Sequence, residues 1–528
     1  MPKPTDKRAA GRDASPSDSP GGRRRSRRQP TGMQRAGQAM LAAIDGLRSH
    51  CAGISGGPAP AFSQAILPAM DRLAGIGTGL AALLLVDQRY GPVGLGRFAW
   101  FVSLLAITGY LARQGVSGYV ENQVARNTTA QTDIAGEAMA ALLGLGLAAL
   151  LLSVLAALWA GGPGGVTGDA LLYLVLGPTI LFQNLNSLRL ALLNGMGRHR
   201  QAAGLRIRQR IVFLAIVAVL CRMAVPVPLL AIAFPIGQVV MAAMGRRQLK
   251  LPGLGVVVAS RARIAPMMQK GRAHLFTDNL LDVVFYLDLL ILGWFVGPVE
   301  LGVYARAMVL MRLFLILPAG LQPVFRRQAN LLVAAADRLG LQRLVSRTAR
   351  SLFVIHGLLA IVILVHFPRV MAIFFNLRHW TDQAFGVFAL VVPGLVFHSL
   401  AIAMTPLFEA IQATDRLKRL ALVVAAANTV LNLNLIPFAG LPGAAMATTG
   451  AMFIHFWLFC RWLPGDVARI GIFWPGAAAA LYLTYVPLEA LEIGVPLSML
   501  LAPLIFGGLL WVTGSFGTST ACQEEQPI

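Results

Sequence analysis

From about residue 61 onward, apolar runs of 17 to 27 residues alternate with short polar breaks. A helix needs roughly 20 mainly apolar residues to cross the hydrocarbon core of a bilayer. Fourteen stretches meet that requirement: 61–86, 92–112, 137–160, 169–193, 203–221, 226–245, 273–296, 299–325, 351–367, 384–408, 418–436, 440–462, 469–487 and 493–513. The pattern predicts an all-α integral membrane protein with about 14 transmembrane helices. Pro228 and Pro235 interrupt the sixth stretch, which a bundle tolerates because neighbouring groups satisfy the freed carbonyls.

One stretch occurs twice. Residues 91–99 read GPVGLGRFA and residues 297–305 read GPVELGVYA, with six of nine positions identical at a separation of 206 residues. Each copy closes one apolar run and opens the next, so it reads as the turn of a helical hairpin used twice. Such self-similarity signals internal duplication and, in a membrane protein, two structural repeats with a site between them. Six spans separate the copies. The even number gives both halves one orientation, which makes this a parallel repeat about an axis along the membrane normal. A second match, between the segments around Arg198 and Arg416, has a similar separation of 218 residues. The expected architecture is therefore two six-helix lobes plus two C-terminal helices. The divisions are a basic disordered tail at 1–57, an N-lobe at 58–245, a linker at 246–272, a C-lobe at 273–463, helices 13 and 14 at 464–514, and a tail at 515–528.

Composition agrees with the membrane reading. Only 13% of residues are charged, against roughly 25% in soluble proteins, and the mean hydropathy is +0.67. Lys and Arg outnumber Asp and Glu by 45 to 23, and their placement sets orientation. With the N-terminus inside, the cytoplasmic loops hold 22 Lys and Arg and the opposite loops four: Arg89, Arg222, Arg369 and Arg378. The positive-inside rule then gives a cytoplasmic N-terminus. The run RRRSRR at 23–28 suits anionic lipid head groups better than nucleic acid when a membrane helix follows; a start at Met33 or Met40 is the alternative reading. The four cysteines have no metal-ligand spacing, and no metal or cofactor is expected.

Ionised side chains at bilayer depth cost about 2.5 to 3.5 kcal/mol each on insertion scales and usually face a wet cavity. Away from the span ends, the ionised groups of this kind are eight Arg (Arg72, Arg97, Arg189, Arg206, Arg208, Arg210, Arg306 and Arg312) against four Asp. Arg72, Arg206, Arg210, Arg306 and Arg312 are the candidate substrate-binding groups, and Asp71, Asp278, Asp282 and Asp288 the candidates for charge pairing or gating. Arg206 and Arg210, four apart, share a helix face, with Arg208 turned away. Counted from the turn at Gly297, Asp288 is level with Arg306 and Asp282 with Arg312, at roughly 1.5 Å per residue. Two level ion pairs are expected there, either neutralising one another for insertion or lining the cavity. The basic excess predicts a cationic cavity suited to an anionic ligand, phosphate above all, since the guanidinium fork donates two parallel hydrogen bonds. His356, His366, His398 and His455 are read as packed side chains, with proton coupling as the lesser reading.

The residues also carry a resemblance. LDLLILGWFVGPVELGVYARA at 287–307, AIQATDRLKRLALVVAAANTVLNLNLIPFAGLPGAAMATTGA at 410–451, YGPVGLGRF at 90–98 and RQGVSGYVENQVAR at 113–126 together resemble the polysaccharide-flippase branch of the multidrug/oligosaccharidyl-lipid/polysaccharide (MOP) exporter superfamily. The resemblance runs from about residue 60 to 515 and implies alternating access around a central cavity. The implied cargo is an undecaprenyl-pyrophosphate-linked oligosaccharide, moved across the bacterial cytoplasmic membrane, with membrane lipids, glycosyltransferases and a polysaccharide polymerase as partners and no nucleic acid. It supplies no shared catalytic residues. A flippase for the peptidoglycan lipid precursor and a multidrug or cation antiporter of the same superfamily stay open. A membrane-embedded glycosyltransferase or polymerase is the reading from another class. Against it, the longest expected external connection, Pro368 to Gln383, has only some 16 residues, so an enzyme is not expected. Loop charge puts both repeat copies at the outer rim. Arg97 replaced by Val303, and acid-base pairs expected only beside the second copy, predict unequal lobes.

Overall fold

In a computed structural model the described residues are 60–126, 131–160, 170–249, 264–271, 280–367 and 382–463, with isolated positions beyond. The chain divides into two compact units, Met1–Ser63 and Gln64–Ile528. The elements below belong to the second, the first of them beginning a few residues earlier. All are helical: α1 (Pro60–Arg113), α2 (Val116–Arg126), α3 (Gln131–Ala160), α4 (Ala170–Gly195), α5 (His199–Arg222), α6 (Val227–Leu230), α7 (Ala233–Arg246), α8 (Leu280–Phe295), α9 (Pro298–Phe314), α10 (Ile316–Ala334), α11 (Arg338–Val365), α12 (Asp382–Met404), α13 (Pro406–Ala410) and α14 (Thr414–Trp462). Among the described residues, eight helices are long and apolar enough to cross a membrane, with Val284–Phe295 a shorter apolar one. The chain is a multi-pass membrane protein.

Two of the long helices are hairpins folded at a glycine. α1 turns at Gly91 (φ 64°, ψ −165°) and α14 at Gly440 (φ 57°, ψ −126°), backbone conformations that cost a residue with a Cβ dearly. The first and second expected spans, and the eleventh and twelfth, are the arms of these hairpins. The second repeat copy breaks instead between Phe295 and Pro298, where proline opens α9, a position that leaves no helical donor missing. α5 forms although its arginines keep it out of the apolar set. The expected thirteenth and fourteenth spans, apart from positions such as Phe506 stacked on Phe353, lie outside the described residues, as do the expected tails and most of the linker.

Packing sorts the helices into two groups. α3 lies along α4 with α2 against both, and α5 and α7 pair beside them. In the second group α12 is the central helix, surrounded by α9, α10, α11 and α14, and it is the most buried of the apolar spans. Apolar burial alone, at about 25 cal/mol per Å² in water, does not drive such packing in lipid. Close backbone approach at small residues does.

The closest approach joins the repeat copies themselves. A Cβ on Gly96 would collide with the carbonyl oxygen of Pro298, and a Cβ on Gly302 with that of Pro92. These are matched positions 206 residues apart, so the contact is reciprocal, as a two-fold relation between the copies requires. The expected outer rim is thus a seam. Leu95 and Tyr304 are fully buried at it. With G302V the seam should part, and a cysteine placed at Leu95 should react with maleimide roughly fivefold faster or more than in the parent, the factor for about 1 kcal/mol of lost packing; unchanged labelling would contradict the contact.

Candidate functional site

Below the seam the two groups enclose a cavity of about 180 Å³. α1 contributes Gly79, Phe98 and Ser103, α5 and α7 contribute Phe213 and Phe234, and α8 and α9 contribute Tyr286 and Arg312. Arg312 is the only ionised group among the described lining residues. Its guanidinium lies 5.1 Å from the Tyr286 ring centroid, a cation–π geometry that holds it facing inward. No carboxylate among the described residues bridges to it. The volume is below the 300–1,000 Å³ typical of small-ligand sites.

At the far end of the cavity from the seam stands a second cationic cluster. Asp71 on α1 accepts from Arg206 Nε at 2.6 Å and from Arg210 Nη1 at 2.6 Å, and Arg210 also donates to the Asp71 carbonyl. The i, i+4 spacing on α5 makes this possible, and Arg208 is exposed as that spacing predicts. Gly75, which also lines the cavity, admits the Arg210 head: a Cβ there would sit 2.8 Å from the guanidinium. Two guanidiniums against one carboxylate leave one positive charge, and both arginines keep about a quarter of their side-chain surface exposed.

The level pairing of Asp288 with Arg306 is not what forms. Arg306 donates from Nε at 3.0 Å and from Nη2 at 2.7 Å to Asp87, and both side chains are 2% exposed. Asp288 instead accepts from Asn428 and Asn432 on α14, at 2.8 and 2.7 Å, and from the hydroxyls of Thr448 and Tyr304. The reason is azimuth. Asp288 turns toward α14, whereas Arg306 turns across the seam toward α1. Arg306 therefore stands at the seam, paired with Asp87, and the expected level pair with Asp288 is corrected. Arg97 is exposed, and Arg189 is buried, bonded to the Asn186 side chain and the Ala242 carbonyl. Asp278 and the side chains of Asp282 and Arg72 lie outside what the structure describes, and so does the pair Asp282/Arg312.

Asp87 was not among the expected groups, because it stands one residue past the end of the first apolar run. The duplication explains its setting. Asp87 and Arg306 correspond, at the offset of 206 residues, to Gly293 and Trp100. Those two also meet: a Cβ on Gly293 would collide with the Trp100 indole. One side of the seam thus carries an ion pair and the other a tryptophan over a glycine. The His356 ring nitrogens lie 2.9 and 3.0 Å from the carbonyl oxygens of Phe314 and Leu352, and a neutral ring donates to one of the two, while His398 and His455 touch through their Nδ1 atoms at 2.9 Å.

No family model matches the chain. It is similar to a probable flippase, AglR, of Haloferax volcanii, at 29% identity over 236 residues, 42% of this chain and 48% of that protein; the match spans about half the relative's length. Among solved structures it resembles the lipid II flippase MurJ in an inward closed conformation, with a TM-score of 0.65 at 15% identity over 85% of this chain and 98% of that one. A multidrug resistance MATE transporter of the MOP superfamily in an inward-facing conformation gives 0.58 at 14% identity over 79% and 99%. The likeness is one of fold, an all-α transporter fold shared with these two structures.

Because one partner of a buried ion pair cannot be removed without stranding the other, D87A and R306A should each lower stability by about 3 to 5 kcal/mol. The double variant should recover part of the loss in a thermal-unfolding cycle. Additive losses would show that the two groups do not interact.

Proposed function

We propose that the chain is a flippase that carries an undecaprenyl-pyrophosphate-linked oligosaccharide across the bacterial cytoplasmic membrane by alternating access, without enzymatic chemistry. The observation that carries this reading is the cavity between the two helix groups, whose one described ionised lining group is Arg312 and whose far end meets Arg210. A diphosphate must shed much of its hydration to enter the membrane, and fixed guanidiniums replace that water with paired hydrogen bonds. An exporter of cations would need acids at these positions.

With the basic loops cytoplasmic, the seam closes the external side and the Asp71 cluster stands at the cytoplasmic mouth. Cargo head groups then pass from the Arg206 and Arg210 region to Arg312, while the lipid tail stays in the bilayer. Opening outward requires parting the Gly96/Gly302 contact and separating Asp87 from Arg306. A peptidoglycan-precursor flippase is the second reading, favoured by the likeness to MurJ; the shared diphosphate chemistry fits both.

In vesicles reconstituted with the purified protein, R312A should slow flipping of a polyprenyl-diphosphate oligosaccharide roughly tenfold or more, the effect of losing one charged hydrogen-bond donor. R208A, exposed on the other face of α5, should leave the rate unchanged. Full activity of R312A at normal membrane levels would overturn the assignment, and faster transport of the peptidoglycan precursor than of other glycans would select the second reading.

A further inference from the structure

A second basic cleft lies on α10, well away from the central cavity. It has a volume of about 490 Å³ and is lined by Gln322, Pro323, Arg326, Arg327, Asn330 and Leu331. The spacing places these residues along one stripe of the helix, while Phe325 and Ala329 on the opposite side are buried against the bundle. The stripe, from Gln322 to Leu331, is about two and a half turns long, roughly 13.5 Å at 1.5 Å per residue.

The cleft is held on rigid supports. Gln322 Nε2 donates to the Ile402 carbonyl of α12 at 2.9 Å, and Arg326 pairs with Glu409 of α13 at 3.1 Å. Arg327, next along, is exposed and bridges to no carboxylate among the described residues. The cleft thus offers two guanidiniums against one carboxylate, with the Asn330 side chain one turn further on. Its apolar flank is also open: Leu331 is 61% and Val324 41% exposed. Around this end of the bundle α11 adds Arg338, Arg343, Arg347 and Arg350, whose combined field concentrates anions near the surface. A soluble anion has no use for the apolar flank, and a neutral lipid has none for the guanidiniums. A phosphate-bearing lipid head uses both.

Arg326 follows Arg312 by 14 residues, about 21 Å along α9 and α10 at 1.5 Å per residue. The two cationic places therefore sit one above the other on a nearly continuous rod, too far apart for one diphosphate to touch both. We infer that the α10 cleft is a separate capture site for the diphosphate head of a polyprenyl-linked cargo, occupied before the head reaches Arg312. This rests on the flippase reading proposed above and adds a first binding step to it.

A capture site and a central site differ in kinetics. The test uses full-length protein in nanodiscs, with binding followed for undecaprenyl diphosphate, phosphatidylglycerol and inorganic pyrophosphate, and flipping followed in vesicles over a range of cargo. R327Q is the main variant, since Arg327 pairs with no described carboxylate; R326Q/R327Q and R312Q are its companions. Undecaprenyl diphosphate should bind R327Q roughly fivefold more weakly than the parent, a loss of about 1 kcal/mol, and the double variant more weakly still. The flipping KM should rise by a similar factor with kcat unchanged, whereas R312Q should lower kcat. Parental binding and KM in R327Q would overturn the capture site while leaving the flippase reading intact. Equal loss of phosphatidylglycerol or pyrophosphate binding would reduce the cleft to a general anion surface and overturn it as well. A parent protein that neither binds nor flips polyprenyl diphosphate would sink the flippase reading and the capture site together.

Discussion

The reciprocal approach of Gly96 and Gly302 is the contact on which the rest of the arrangement depends. Two helices whose backbones come within reach of each other's carbonyls leave no room for side chains between them, so the groups beside that crossing are brought together by default. Asp87 reaches Arg306 because the glycines let α1 and α9 touch, and Trp100 covers Gly293 for the same reason. The central cavity begins where the crossing helices diverge, so its roof is the seam.

Ionised groups then divide by how they are compensated. At the seam, Asp87 and Arg306 are fully desolvated and paired. Within the second helix group, Asp288 is satisfied by amides and hydroxyls, which stabilise a carboxylate without bringing a cation into the interior. Arg312 and the α5 arginines differ from both. They border space rather than packed side chains, and among the described residues their balance toward it is positive. In a medium where an uncompensated charge costs several kcal/mol, that balance is tolerable only beside water or an anion.

Much of this was legible in the chain. The apolar runs and the two copies of GPVxLGx(F/Y)A gave the helices and their duplication, because span length and turn chemistry are local properties. The i, i+4 spacing placed Arg206 and Arg210 together for the same reason. Depth was legible too, but azimuth was not: counting residues put Asp288 level with Arg306, and only the packing of α14 decides that Asp288 faces Asn428 and Asn432 instead. Those asparagines stand four apart in an otherwise apolar run, a signal that a buried polar partner was required. Asp87 escaped notice because the expected first span stopped at residue 86, although the glycine at the matching position of the second copy marks the place as unequal.

That inequality gives the seam two kinds of edge. On the Trp100/Gly293 side the contact is dispersion over a flat ring, which has no preferred direction and fades within about an ångström of separation. On the Asp87/Arg306 side it is a directional ion pair whose attraction falls only as the inverse of distance in a dry site. The duplicated halves thus meet along a line that lets go early at one end and keeps pulling at the other, so symmetry in the backbone coexists with handedness in its mechanics.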